Sequence, residues 1–234
     1  MARRSAFNGF PRENEKFFRD LADNNNKSWF AEHKPNFEDY VLSPARDFVF
    51  EMGKRLEEIV PKIQANPKVD KSIFRIYRDT RFSKDKSPYK THLGIFLWEG
   101  DRPKMECSGF YFHLEPPELM LGVGIYCFSK SLLPVYRDSI VHSKHGPALV
   151  KAIEEVSKKG DYTLGGKHYK RTPRGYDPDH KNAELLLYNG FWASSSGKIP
   201  KELYSSKILD YCFQRFRDMS PLHKWLVAMT KRAS

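Results

Sequence analysis

Apolar residues recur along the first sixty positions with the three- and four-residue spacing of helices that lie on a core. Phe17, Phe18 and Leu21 form a stripe behind Pro11, and Asn24-Asn25-Asn26 ends it. Phe30, His33, Phe37, Tyr40 and Val41 form a second stripe, with Ser28 as its cap. Pro35 falls inside that stripe and predicts a kink or a split. Ser43-Pro44 predicts a cap followed by proline at the first helical position. Phe48, Met52, Leu56 and Ile59 then line one face as far as Pro61.

The period changes after residue 70. Ser72–Tyr77, Thr91–Trp98, Ser108–Leu114 and Leu119–Phe128 read as strands, and short turns at 99–103 and 115–118 separate the last three. Short turns make neighbours antiparallel, so a four-stranded meander is the economical arrangement. One face carries Leu93, Ile95, Leu97, Phe110, Phe112, Leu114, Leu119, Leu121, Val123 and Ile125. The other carries His92, Gly94, Phe96, Gly109, Tyr111, His113, Gly122, Gly124 and Tyr126. Glycines inside strands leave room for a close neighbour. Either a helix packs tightly over them, or they floor a groove rimmed by His92, Tyr111, His113 and Tyr126; a slip of one residue would invert the faces.

Beyond residue 130 the helical period returns, around Leu133, Tyr136 and Ile140, then from Gly146-Pro147 to Gly160. Residues 165–180 are too rich in glycine, proline and charge for a core element, and 183–193 predict a short helix followed by a strand. Leu209 to Phe216 marks a helix, and Ser220-Pro221 caps a last one. No repeat, linker or break in composition divides the chain. The expectation is one α+β domain over residues 1–234: helical at 1–60, an antiparallel meander of about four or more strands at 72–128, and helices with a polar loop at 131–234.

The net charge of +11 is unevenly placed. Residues 1–60 hold 10 Lys/Arg and 11 Asp/Glu, 61–100 hold 9 and 4, 101–160 hold 8 and 7, and 161–234 hold 13 and 7. Two basic regions would attract an anionic small molecule or a nucleic acid if the fold joins them; a solvated surface without a partner is the alternative. No apolar run reaches the roughly 18 residues of a membrane span, and residues 1–10 lack the apolar segment of a signal peptide. Cys107, Cys127 and Cys212 form no CxxC pair, which fits a reducing cytoplasm and argues against a disulfide framework or a zinc site, so no metal ligand is assigned. The oligomeric state is not legible.

Candidate chemistry gathers at Arg75–Lys90. This stretch holds Arg75, Arg78, Arg81, Lys84, Lys86 and Lys90 against Asp79 and Asp85 alone, a local charge of +4. Arg78, Arg81 and Lys86 suit a phosphate or carboxylate, Tyr89 and Lys90 could add to the grip, and Asp79 could orient a guanidinium or act as a base. An internal salt-bridge network that fixes the loop is the competing reading. The spacing RxxRDxRFxxDKxxY resembles the signature of a family of bacterial conserved hypothetical proteins, domain of unknown function 2461. Asn24–Phe30 is similar to the family's Asn-rich Trp-Phe segment and Pro173–His180 to its second polar motif, whereas Gly190–Gly197 departs from the charged segment the family carries there. The resemblance implies no activity and no cofactor.

Two further groupings invite chemistry. Tyr176-Asp-Pro-Asp-His180 places two carboxylates and an imidazole within five residues, suited to a divalent cation or to acid–base work by His180, or else to a turn in which Asp179 caps a helix. Lys167–Arg174 interleaves basic and aromatic residues, as single-stranded nucleic acid requires. With Arg174 and Tyr176 it could complete the anion site of Arg75–Lys90. No Walker loop, GxGxxG, HExxH or GxSxG occurs, so the common nucleotidase, dehydrogenase, zincin and hydrolase classes find no support. Three functions follow: an anion-binding protein, with or without a catalytic role; a nucleic-acid binder; or an interaction module whose arginines pair internally.

Overall fold

The computed structural model describes residues 7–233. Helix α1 (Arg12–Asp23) buries Phe17, Phe18 and Leu21. The second helix, α2 (Lys27–Glu32), is capped by Asn26 and not by Ser28: the Asn26 side chain accepts from the Trp29 amide at 3.0 Å. Pro35 does split the stripe, since α3 (Lys34–Phe37) starts anew with the proline in its first turn. A π-helical turn at Glu38–Leu42 leads straight into α4 (Ser43–Leu56), and both Leu42 and Ser43 keep helical dihedrals. Ser43 therefore caps nothing, and α4 ends at Leu56, short of Pro61.

Six strands form an antiparallel sheet in the order β1-β2-β3-β4-β6-β5. They are β1 (Ile63–Gln64), β2 (Leu93–Glu99), β3 (Ser108–Glu115), β4 (Glu118–Ile125), β5 (Thr163–Lys167) and β6 (Tyr188–Lys198). The last three meander strands hold. The predicted first strand does not: only Ser72–Phe74 touches β2, through Phe74 N–H to Gly94 O (3.0 Å) and Phe96 N–H to Ser72 O (2.8 Å). The chain then leaves the sheet, and Ile76–Arg78 pairs with Pro88–Lys90 instead. Residues 163–167, half assigned to a loop, make β5. Its glycines serve close approach, because a Cβ at Gly165 would meet the Trp192 ring at 2.1 Å and one at Gly166 (φ +104°) the Gly190 carbonyl at 2.1 Å.

Helices α5 (Leu132–Val141), α6 (His145–Ser157) and α7 (Lys207–Thr230) complete the chain. Ser220-Pro221 begins no new helix: α7 runs through both, and the Ser220 hydroxyl donates to Arg217 O at 2.8 Å within the same turn. Asp179 likewise caps no helix; a 3₁₀ stretch starts later, at Ala183.

The chain forms two compact units. One holds residues up to Leu97 with Tyr111–Leu121 and Ser196–Gln214; the other holds Trp98–Phe110, Gly122–Ser195 and the stretch from Arg215 onward. The first is built on aromatic packing, with Phe48 wholly buried and its ring 5.6 Å from Phe10 and 4.9 Å from Phe112. The second packs Tyr136 against Phe128 at 4.5 Å and Phe110 against Phe216 at 5.4 Å. Among the described residues no helix is long and apolar enough to cross a membrane.

Candidate functional site

The basic stretch is a hairpin with a closed neck. Tyr77 bridges Tyr89, bracketed by Arg78 N–H to Pro88 O (2.9 Å) and Lys90 N–H to Ile76 O (2.8 Å). The outer edge of Tyr89 is held by one side chain: Asn25 Nδ2 donates to Tyr89 O at 2.9 Å, and Asn25 Oδ1 accepts from Tyr89 N–H at 3.1 Å. Asn25→Ala removes both bonds at about 1 kcal/mol each. The expected result is a modest loss of urea stability with markedly faster hydrogen exchange at the Tyr89 amide.

This neck forms one wall of a cleft of about 470 Å³, lined among others by Asn25, Arg78, Lys90, Thr91, His92 and Glu115. Of the predicted ligand residues, Arg78, Tyr89, Lys90 and His92 line it. Tyr89 contributes mostly packing: its ring is buried, 4.2 Å from Phe30, and burial with the nearby Tyr77 raises its phenol pKa. Arg75 is exposed outside the lining. Arg174, Tyr176 and His180 belong to the other compact unit, so no common site with Arg75–Lys90 is assigned.

Three of the loop's six cations have local partners in Asp85, Asp79 and Thr80. Arg78 bonds Asp85 and reaches Ser87 O at 3.3 Å. Arg81 forks onto Asp79 through Nε (3.0 Å) and NH2 (2.7 Å), and Lys86 donates to Thr80 O at 2.9 Å. The Arg81 bonds lower the Asp79 pKa to about 2, which leaves a counter-ion and a feeble base. Asp85 is also held low, by the Ser87 hydroxyl and amide and then by Arg78. Lys90 differs. Its ammonium lies 5.5 Å from the Phe74 ring centre and, among the described residues, in no salt bridge. Burial lowers its pKa and the Arg75 charge adds to that, against a smaller pull from Asp70.

Across the cleft three donors converge. His113 and Glu115 stand two residues apart on β3, on one face, with Nε2 and Oε2 3.2 Å apart. The His92 ring lies 4.2 Å from that of His113. Tyr111 Oη sits 2.9 Å from His113 Nδ1, and the Thr91 hydroxyl donates to Glu115 Oε1 at 2.7 Å. Burial and then the His113 neighbour bring the His92 pKa down to about 4. Burial raises Glu115, but bonds from Thr91 and His113 outweigh it and leave the carboxyl below its usual value. The glycine groove is not formed as drawn: a Cβ at Gly94 would meet Tyr111 Oη at 3.0 Å and Phe74 at 3.2 Å, so side chains cover it. At Gly124 (φ +146°) a Cβ would strike Phe191 O at 2.3 Å, and Tyr126 is exposed. Glu115 falls in the turn expected at 115–118 but closes β3, and its alternation with Tyr111 and His113 is the sequence signal for that place.

The second motif is structural in its contacts. Tyr176 donates to Asp138 at 2.7 Å, and burial with that bond pushes its pKa up to about 12. His180 Nδ1 accepts the Asn182 amide at 3.1 Å. Lys167 pairs with Glu184 at 2.9 Å, while Lys170, Arg171 and Arg174 are exposed. A buried chain that the sequence did not announce runs from Ser108 Oγ to His223 Nδ1 (3.0 Å) and from His223 Nε2 to Glu99 (3.0 Å). It has the residue types of a hydrolase triad, yet Ser108 and His223 are both 0% exposed, so no substrate carbonyl can reach the hydroxyl.

Comparison with curated proteins and with solved structures gave no match. A family model does match, over residues 13–225, nearly the whole length on which the loop, the Asn25 clamp and the cleft are built. The chain belongs to that family, described as conserved hypothetical protein (DUF2461).

Proposed function

We propose that this protein binds a small phosphate- or carboxylate-bearing ligand in the cleft beside the loop neck, with Lys90 as the principal anion contact and Arg78 as its support. The observation that carries this reading is the half-buried Lys90 ammonium, which has an aromatic neighbour and a nearby guanidinium but no salt bridge among the described residues. A cation kept from water beside a like charge is relieved by an incoming anion. About 470 Å³ suits a metabolite. Cys107 and Cys127, neither of them in a disulfide and the second exposed, favour a cytoplasmic setting.

The ion pairs of Arg78 and Arg81 also favour a second reading, in which the loop is scaffold only. One experiment separates the two. A thermal-shift screen of phosphorylated and carboxylated metabolites should find ligands that raise the Tm, and Lys90→Gln should weaken the best of them about tenfold or more, the worth of a charge-assisted hydrogen bond. Arg81→Ala should leave that affinity within about twofold, because its partner is Asp79. No stabilising ligand, or unchanged binding by Lys90→Gln, overturns the anion reading and leaves the scaffold reading.

A further inference from the structure

His92, His113 and Glu115 each offer one donor atom, and these atoms all lie within 4.8 Å of one another. Two donors on one tetrahedral ion stand about 3.4 Å apart for bonds of about 2.0–2.2 Å. A pair at the outer limit therefore needs about 1.4 Å of closure by side-chain rotation, and the His113–Glu115 pair at 3.2 Å already suits neighbouring ligands. We propose that these three residues bind a divalent first-row transition-metal ion, such as zinc or its cobalt surrogate.

The surroundings point the same way. An ion pair between His113 and Glu115 would need no second imidazole, yet the His92 ring lies 4.2 Å from that of His113, brought from the residue just before β2. Each β3 ligand is oriented through its other polar atom: Tyr111 Oη lies at His113 Nδ1 and Thr91 donates to Glu115 Oε1, which turns Nε2 and Oε2 toward each other at 3.2 Å, a contact that an ion between them would replace. Such outer partners orient metal ligands and set their tautomer. Two imidazoles and a carboxylate match the donor set of zinc and non-haem iron sites that keep open positions. His92 and Glu115 both border the cleft, so an open position would face it.

The site shares the cleft with the anion reading but does not rest on it, because the test uses metal alone. Chelator-stripped protein titrated with Co²⁺ should develop visible d–d absorption that saturates at one equivalent and is displaced by Zn²⁺. In the wild-type protein that equivalent should perturb the ring NMR signals of His92 and His113 among the eight histidines. His113→Ala and Glu115→Gln should each weaken binding at least tenfold, Thr91→Val about 10- to 100-fold as an outer-partner loss, and Phe82→Ala, at the exposed loop tip, by less than threefold. Absence of a saturable equivalent, or perturbation of other histidines in place of these two, overturns the proposal. The NMR readout needs no variant, so a variant that fails to fold leaves the test decisive.

Discussion

Phe48→Ala should lower the unfolding free energy by about 3–5 kcal/mol, measured by urea denaturation. Phe48 is 0% exposed, and its ring contacts Phe7, Phe10 and Phe112 at 5.7, 5.6 and 4.9 Å between centres. Truncation removes the transfer energy of a whole ring. It also opens a cavity that the neighbouring rings cannot all fill, since Phe112 is fixed on β3 and Phe10 is stacked on it at 5.5 Å. Phe82→Ala is the control: that ring is 95% exposed at the loop tip, and its loss should stay within about 0.5 kcal/mol. Equal effects at the two positions would refute this account of the core.

His223→Ala should be the second large loss. It strands the buried Ser108 hydroxyl, at about 1–3 kcal/mol, and removes one bond from the Glu99 carboxylate. His223 also sets part of the acid limit. Burial lowers its folded pKa; Glu99 opposes this, and Lys224 adds to it slightly. The unfolded chain, with an ordinary value of about 6.5, binds the proton more readily, so stability falls as pH drops below about 6.5. The variant should start less stable and lose stability less steeply between pH 6.5 and 5. An unchanged slope there would remove His223 from the acid limit.

The helices and the central meander were legible because their apolar periods are long and unbroken. The stripe Phe17-Phe18-Leu21 and the alternation at 93–97 and 110–114 need no partner to be read. Ser220-Pro221 misled because a proline inside a helix resembles one at its start, and the packing of a 24-residue helix overrides the lost amide bond. Ser72–Tyr77 misled because its apolar alternation suits either a sheet or the neck of a hairpin, and only the fold decides which. The Arg75–Lys90 charge cluster was visible, but not that Asp79 and Asp85 would occupy two of its arginines. The His92–His113–Glu115 convergence was invisible in its main part, since it depends on which strand neighbours which. Asn25 was read as a helix stop, and no local pattern distinguishes that role from a clamp on a peptide 64 residues away.

The closed neck of the hairpin also bears on how the loop can change. Its ends are held at 76–78 and 88–90 by backbone bonds and by Asn25, before any residue beyond them contributes. The chain entropy of joining the ends is therefore met at the neck, and even doubling the excursion from 79 to 87 would add only about 0.6 kcal/mol. Insertions near Phe82 should fold with little penalty. A single deletion within Ile76–Arg78 or Pro88–Lys90 shifts one backbone bond out of register and moves Lys90 out of the cleft. The segment is thus free in its length at the tip and fixed to the residue at its base.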